Sequence, residues 1–436
     1  MEKFKRLLKL PLPTALTLLD QMIVSGSNFL TGILLTRWLG LEAYGVFALA
    51  WLGLMLMSSV QQAFLLTPMM SLGPKKDGAE RQAYYRGSLL LQLGFLLLIG
   101  TVSCVIVWFA DQWFPEWGIG FLFPVLPLAI VGFLMQEYYR RFFFILLQPV
   151  LALIVDGIAY LGLILGIVSL YLFDSLSVEY SYVLVLTTFG LSSLVGELLA
   201  KRLRRGMISS TSISMWVSAK SVFVEHWHVA SWLIGKAFLQ FFSSNYYILA
   251  AGVILGPSAI GALRIAQNLL GTTHVLFLAM ENAVPVKASI ALSRDGLRGM
   301  IQYLKLISLK AGILVGGILI LLALFAEPLI ELVYGTEFVE YSYLLIAYCV
   351  FYLFLFPGYP LRFALRTLES TQPIFWAYVA STIVSLLSAN YLVENWGLMG
   401  VVYGLIMTTI LMQMCYGVGV KIQMNKYIDA QQTFAS

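Results

Sequence analysis

Residues 39–50 read Leu39-Gly40-Leu41-Glu42-Ala43-Tyr44-Gly45-Val46-Phe47-Ala48-Leu49-Ala50, and residues 255–266 read Leu255-Gly256-Pro257-Ser258-Ala259-Ile260-Gly261-Ala262-Leu263-Arg264-Ile265-Ala266. At an offset of 216, five of these twelve positions are identical: Leu39/Leu255, Gly40/Gly256, Ala43/Ala259, Gly45/Gly261 and Ala50/Ala266. A second echo lies further along, where Gln148-Pro149 and Gln372-Pro373 each follow an arginine, at an offset of 224. The chain has 436 residues, so both offsets are close to half its length. The pattern is that of a duplicated unit.

The composition says where such a unit lives. Sixty per cent of the residues are hydrophobic, only 11% are charged, and mean hydropathy is +0.87. A soluble protein with so few charges could not cover its own surface. The chain is therefore expected to be an integral membrane protein, and disorder or a disulfide scaffold is excluded. Cys104, Cys349 and Cys415 have no paired spacing and each sits in an apolar run, as buried small hydrophobes do. The net charge of +5 is too small to suggest a nucleic-acid partner.

Apolar runs of spanning length fall at 14–36, 43–67, 87–109, 119–139, 148–171, 179–200, 229–254, 258–282, 304–326, 341–361, 373–392 and 397–420. The expected fold is all-α and polytopic, with twelve transmembrane helices in two six-helix lobes. Six is even, so the copies would insert in the same direction, related by a pseudo-two-fold axis along the membrane normal. The layout assigns 1–200 to an N-terminal lobe, 201–228 to a cytoplasmic linker with an amphipathic segment, and 229–436 to a C-terminal lobe. With the N-terminus inside, 24 of the 27 basic residues fall on the inner side, including Arg140, Arg141 and Arg362. Acidic residues such as Asp111, Glu116, Asp174 and Glu337 fall outside. That positive-inside bias supports a multi-pass inner (cell) membrane protein with both termini in the cytoplasm. The linker's Glu225-His226-Trp227-His228 reads as an interfacial belt, since histidines two apart cannot share one helix face to bind a metal.

An ionisable group inside a span is costly and should face a cavity or a partner. Asp20 in span one and Lys236 in span seven are 216 residues apart and occupy equivalent positions with opposite charge. Asp156 lies in span five and Arg264 in span eight. Asn28, Asn245 and Gln267 add polar groups within spans. One reading gives a cavity with cations for an anionic substrate (Lys236, Arg264, Asn28, Asn245, Gln267) and carboxylates for ion coupling (Asp20, Asp156). The other gives structural pairing, such as Asp20 with Lys236 or Asp156 with a basic neighbour. No P-loop, H-E-x-x-H or G-x-S-x-G motif occurs, so no enzyme activity, cofactor or metal is expected.

The outer turn Arg37-Trp38-Leu39-Gly40-Leu41-Glu42-Ala43-Tyr44-Gly45-Val46-Phe47-Ala48 resembles a pattern common in polysaccharide transporters of the MOP flippase superfamily. Pro328-Leu329-Ile330-Glu331-Leu332-Val333-Tyr334-Gly335-Thr336-Glu337-Phe338 looks like that family's segment after span nine. The resemblance implies a two-lobed transporter that flips an undecaprenyl-diphosphate-linked oligosaccharide across the membrane by ion-coupled alternating access. It also implies membrane lipids, H⁺ or Na⁺, and a polysaccharide polymerase or export assembly as partners. Asp20 falls on the span where the MATE branch keeps a cation-coupling aspartate. Twelve spans and few buried arginines set this chain apart from the lipid II flippase branch. The rivals are a MATE-type drug antiporter, which needs carboxylates and aromatics without lysine, and a membrane-embedded glycosyltransferase or polymerase, which needs a substantial outer loop.

Overall fold

The computed structural model describes residues 12–117, 119–206 and 215–435. The basic N-terminal segment that helped to set the orientation lies outside them, as do residues 207–214 of the expected linker. Within the described residues the chain is helical throughout, with no strand. It divides into two compact units, Met1–Phe238 and Leu239–Ser436.

The first unit contains α1 (Leu12–Leu39) and α2, which runs from Leu41–Gln61 through a π turn at Gln62–Leu66 into Thr67–Leu72. Then come α3 (Gly78–Trp113), α4 (Val125–Ile145) and α5, which runs from Pro149–Asp156 through a second π turn, Gly157–Leu161, into Gly162–Leu172. Next is α6 (Val178–Gly206), and the unit boundary falls inside α7 (Met215–Leu255). The second unit continues with α8 (Pro257–Leu269), α9 (Gly271–Leu324), α10 (Ala326–Val333), α11 (Ser342–Leu355), α12 (Gly358–Thr367) and α13 (Gln372–Ala435).

Twelve spans are accounted for. Among the described residues, nine continuous helical runs are long and apolar enough to cross a membrane. Two of these, α9 and α13, are broken at Gly296 (φ 66°, ψ −164°) and Gly397 (φ 57°, ψ −134°). Helix α13 carries the last two expected segments, and α9 carries the 304–326 segment together with the second part of 258–282, whose first part is α8. Helix α4, shorter and bearing Glu137, Arg140 and Arg141, supplies the twelfth. Those two backbone conformations are open essentially to glycine alone.

The repeat is written in the turns as well as in the letters. Gly40 (φ 81°, ψ 176°) and its counterpart Gly256 (φ 87°, ψ 175°) take the same conformation ahead of α2 and α8. Leu147 (φ 56°) and Glu369 (φ 54°) are both left-handed at a helix end. Each is followed by a 6→1 backbone bond, Gln148 to Phe143 and Ser370 to Leu365. These closures satisfy the last carbonyls of α4 and α12.

In a medium without water, polar side chains bond neighbouring helices instead. Helix α6 donates from Ser193 to the Gly132 carbonyl of α4, from Ser192 to the Val155 carbonyl of α5, and from Tyr182 to the Phe47 carbonyl of α2. Gly132 meets Gly190 so closely that a Cβ there would stand 3.3 Å from the Gly190 nitrogen. In the second unit, Ser243 bonds Ser381, Tyr247 bonds Ser388, and Thr382 bonds the Leu239 carbonyl, fastening α7 to α13.

The described part of the expected amphipathic segment is the first part of α7, which packs one face against the first unit and leaves Phe223, Val224 and Trp227 exposed on the other. Val222 belongs to a core with Leu65, Tyr85, Tyr139 and Phe142. The side chain of His226 is fully buried and lies 2.7 Å from the Tyr84 hydroxyl. Glu225 pairs with Lys76 at 3.2 Å. Lys76, which also bonds Glu80, is held above its usual ammonium pKa by these carboxylates. Trp227 remains exposed.

Gly256→Ala should destabilise the protein by about 1–3 kcal/mol, because the turn requires a glycine-only conformation. A thermal melt in detergent reads this, and an unchanged midpoint would show that the turn can be rebuilt without strain.

Candidate functional site

Two polar constellations stand out, one in each unit. In the first, α1, α4 and α5 converge on the guanidinium of Arg140. Its Nη2 donates to Asp20 Oδ2 at 2.9 Å, its Nε lies 2.6 Å from Asp156 Oδ2, and its Nη1 donates to Glu137 Oε1 at 3.2 Å. Gln136 Nε2 donates to the other Asp156 oxygen at 2.5 Å. Asp20, Glu137, Arg140 and Asp156 are all buried. Arg141 touches the cluster at its rim, 3.6 Å from Glu137. The two aspartates adjoin one another as well as the arginine.

The charges do not balance inside the cluster. Three carboxylates face one buried guanidinium, with a second arginine only at the edge. In a low-dielectric site, surplus negative charge is costly until it is neutralised. A further hydrogen-bonded set lies on neighbouring helices: Gln61 Nε2 donates to Gln92 Oε1 (3.0 Å) and to the Leu134 carbonyl (2.6 Å). Both π turns adjoin these residues, one directly after Gln61 and the other directly after Asp156. A π turn within an α-helix often marks a functional position.

The second constellation is a cavity of about 590 Å³ within the second unit. Its polar lining includes Asn245, Arg264, Gln267, Asn268, Glu281 and Arg362; Tyr348, Tyr352, Tyr359, Tyr378 and Tyr416 supply aromatic walls. Arg264 donates to Gln267 Oε1 at 2.8 Å, and Gln267 in turn donates to the Tyr348 hydroxyl at 2.9 Å. Arg362 pairs with Glu281 at 2.8 Å, its guanidinium lying 4.5 Å from the Tyr359 ring centroid. Two arginines against one glutamate leave the lining net positive.

The candidates from sequence are thus distributed unevenly. Asp20 and Asp156 meet in one cluster. Arg264, Asn245 and Gln267 meet in the cavity. Lys236 and Asn28 are exposed on helices of the first unit and do not line that cavity. The suggested Asp20–Lys236 pairing is not what forms, since Asp20 bonds Arg140. Arg140 and Arg362, counted among the cytoplasmic positive charges, are instead the centres of the two constellations. Arg140 is the arginine buried among the described residues, in keeping with the expectation of few; Arg264 and Arg362 are only partly buried. Among the described residues, no group of three or more histidines, cysteines or acids is arranged to hold a metal.

Comparison with known proteins gives this architecture its context. Residues 168–343, less than half of the chain, match a family described as "Polysaccharide biosynthesis protein". No curated protein sequence matches the chain. Among solved structures, an inward-facing multidrug resistance MATE family transporter of the MOP superfamily superposes with a TM-score of 0.67 at 15% identity, covering 95% of this chain and 96% of that one. Lipid II flippase MurJ in an inward closed conformation gives 0.62 at 16% identity, over 94% of this chain and 87% of that one. A MOP superfamily transporter from Pyrococcus furiosus, described as having a binding pocket of reverse polarity, gives 0.56 at 13% identity over 95% and 93%. The chain is built on the two-lobed, multi-span fold of the MOP superfamily transporters and flippases.

Proposed function

We propose that the protein flips a lipid-linked oligosaccharide across the cell membrane, with the diphosphate of the carrier bound in the second-unit cavity. The observation that carries this reading is the cavity's chemistry: Arg264 and Arg362 outweigh Glu281 among tyrosines and carboxamides. A desolvated diphosphate calls for charge-assisted donors, and arginine presents them as a fork. Asn245, Gln267 and the tyrosine rings suit a saccharide. The match of residues 168–343 to a polysaccharide biosynthesis family supports the same substrate class. A drug cation would be repelled by this lining, which disfavours the antiporter reading. The positive-inside distribution supports both termini in the cytoplasm, and 1–200 and 229–436 as the duplicated lobes.

In the same reading the Arg140 cluster is the ion site. Its surplus negative charge is matched by taking up H⁺ or Na⁺ at the Asp20–Asp156 pair. Asp20 Oδ1 accepts no hydrogen bond from a protein donor, which suits it to that role. A polymerase or export assembly would take the flipped product.

Arg264→Gln should lower saccharide transport about tenfold or more, the scale of a lost charged hydrogen bond. Lys236→Ala should cost less, because its side chain is exposed. Transport of labelled lipid-linked saccharide into proteoliposomes measures both, and wild-type transport by the Arg264 variant would sink the anion-site reading. Asp20→Asn should flatten the dependence of transport on an imposed pH or Na⁺ gradient; an unchanged dependence would leave Asp20 a structural role alone. Arg140→Met strands buried carboxylates and should destabilise the fold by about 3–5 kcal/mol. Adding Asp156→Asn should recover part of that loss in a detergent melt.

A further inference from the structure

Glu281 is the carboxylate among the described residues lining the cavity, and its position is odd for an anion-binding site. It holds Arg362 through one contact, Nη2 to Oε1 at 2.8 Å. Neither partner is sealed in: the Arg362 side chain is 23% exposed and that of Glu281 35%. A single-point, partly hydrated pair contributes little net stability. The pair around Arg140 is the opposite case, buried and held by three carboxylates at once.

The platform beneath Arg362 does not depend on Glu281. The guanidinium lies over Tyr359, and Tyr359 stacks on Phe277 with ring centroids 4.6 Å apart. Backbone and ring contacts of α12 therefore keep Arg362 aimed into the cavity whether or not the carboxylate is engaged. A bidentate phosphate offers Arg362 more than the single carboxylate oxygen does.

We propose that Glu281 is a resident counter-ion for Arg362, displaced when a diphosphate enters and returning as it leaves. The proposal rests on the anion-cavity reading above and adds the part of the site that lets go. A transport site must bind well enough to load and weakly enough to unload. Glu281 supplies the second requirement by competing for the guanidinium from inside the cavity. It acts through Arg362 and is a positioning residue, with no contact of its own to the substrate's phosphates.

Isothermal titration of the purified full chain in detergent with inorganic pyrophosphate, paired with transport in proteoliposomes, tests this. Glu281→Gln should bind pyrophosphate about tenfold more tightly, the scale of removing one charge-assisted competitor, while transporting saccharide more slowly. Glu281→Asp, which keeps the competitor, should stay near the wild type in both measurements. A merely structural glutamate would lower binding and transport together. Pyrophosphate binding to the wild type with no tightening in Glu281→Gln overturns the exchange and leaves the anion cavity standing. Binding that survives in Arg264→Gln and Arg362→Gln, or no binding to wild type or Glu281→Gln, overturns the cavity reading and the exchange with it. Should Glu281→Gln fail to fold, Glu281→Ala carries the same expectation, with size-exclusion profiles as the check.

Discussion

The Arg140 guanidinium is what the first unit is organised around. A carboxylate cannot stay ionised deep in an apolar unit unless something pays its desolvation, and Arg140 meets three of them from three helices. Asp20 comes from α1, Asp156 from α5, and Glu137 from one turn earlier on α4 itself. The helices must therefore approach at one height and in one register. Helix α6 holds that register from the other side, its hydroxyls donating to carbonyls of α4, α5 and α2. The close Gly132–Gly190 approach is helped by the absence of a side chain at Gly132, where a Cβ would stand 3.3 Å from the Gly190 nitrogen. Packing and electrostatics thus specify the same arrangement, which is what makes a single native state.

Duplication fixed the turns and left the chemistry free. Gly40 and Gly256 keep the same backbone conformation across the repeat, as do Leu147 and Glu369. Those positions are constrained by geometry that few residues satisfy. Side chains pointing into each unit carry no such constraint, and there the copies have parted. The first unit encloses an acid-rich, tightly paired cluster; the second encloses a basic, tyrosine-lined cavity with a loosely held pair. Asp20 and Lys236 show the divergence at one position: the aspartate is buried on an arginine and the lysine is exposed.

Much of this is legible in the sequence, and the part that is not has a physical reason. Hydropathy gives the twelve spans because each must fill a hydrocarbon thickness. Asp20, Asp156 and Arg264 stand out because they interrupt apolar runs. Arg140 does not stand out, because the apolar run ends at 139. In the structure α4 begins at Val125 and ends at Ile145, which carries Arg140 from an apparent loop to the centre of a core. Arg362 follows the run at 341–361 in the same way, and α12 turns it into the cavity. A hydropathy window marks where a span ceases to be apolar, and a helix can continue beyond that point when its charges have partners inside. Apart from Glu137, one turn before Arg140, those partners (Asp20, Asp156 and Glu281) come from helices distant in sequence, so no local window contains them. The two arginines also look like ordinary positive-inside residues, and the orientation rule hides them by explaining them too well.

If the protein transports as proposed, the two constellations would place different demands on the cycle. An ion biases a conformational equilibrium only through the difference in its affinity for the two states. In the proposed ion-site role the Arg140 cluster would supply such a difference if a shift of α1 or α5 changed how many carboxylates share the guanidinium. The π turns beside Gln61 and Asp156 are the natural places for that shift, since a π turn holds a residue that an α-helix would not accommodate. Reverting to α geometry at Gly157–Leu161 would rotate the rest of α5 relative to Asp156, changing the pairing without unfolding the helix. The cavity in the second unit needs no comparable surplus. On the proposed function its task is reversible capture, which a counter-ion on a partly exposed arginine would serve better than a buried network. Tightly paired charge in one copy and a loosely held pair in the other is a division that a duplicated fold permits and that a single six-helix unit could not easily hold.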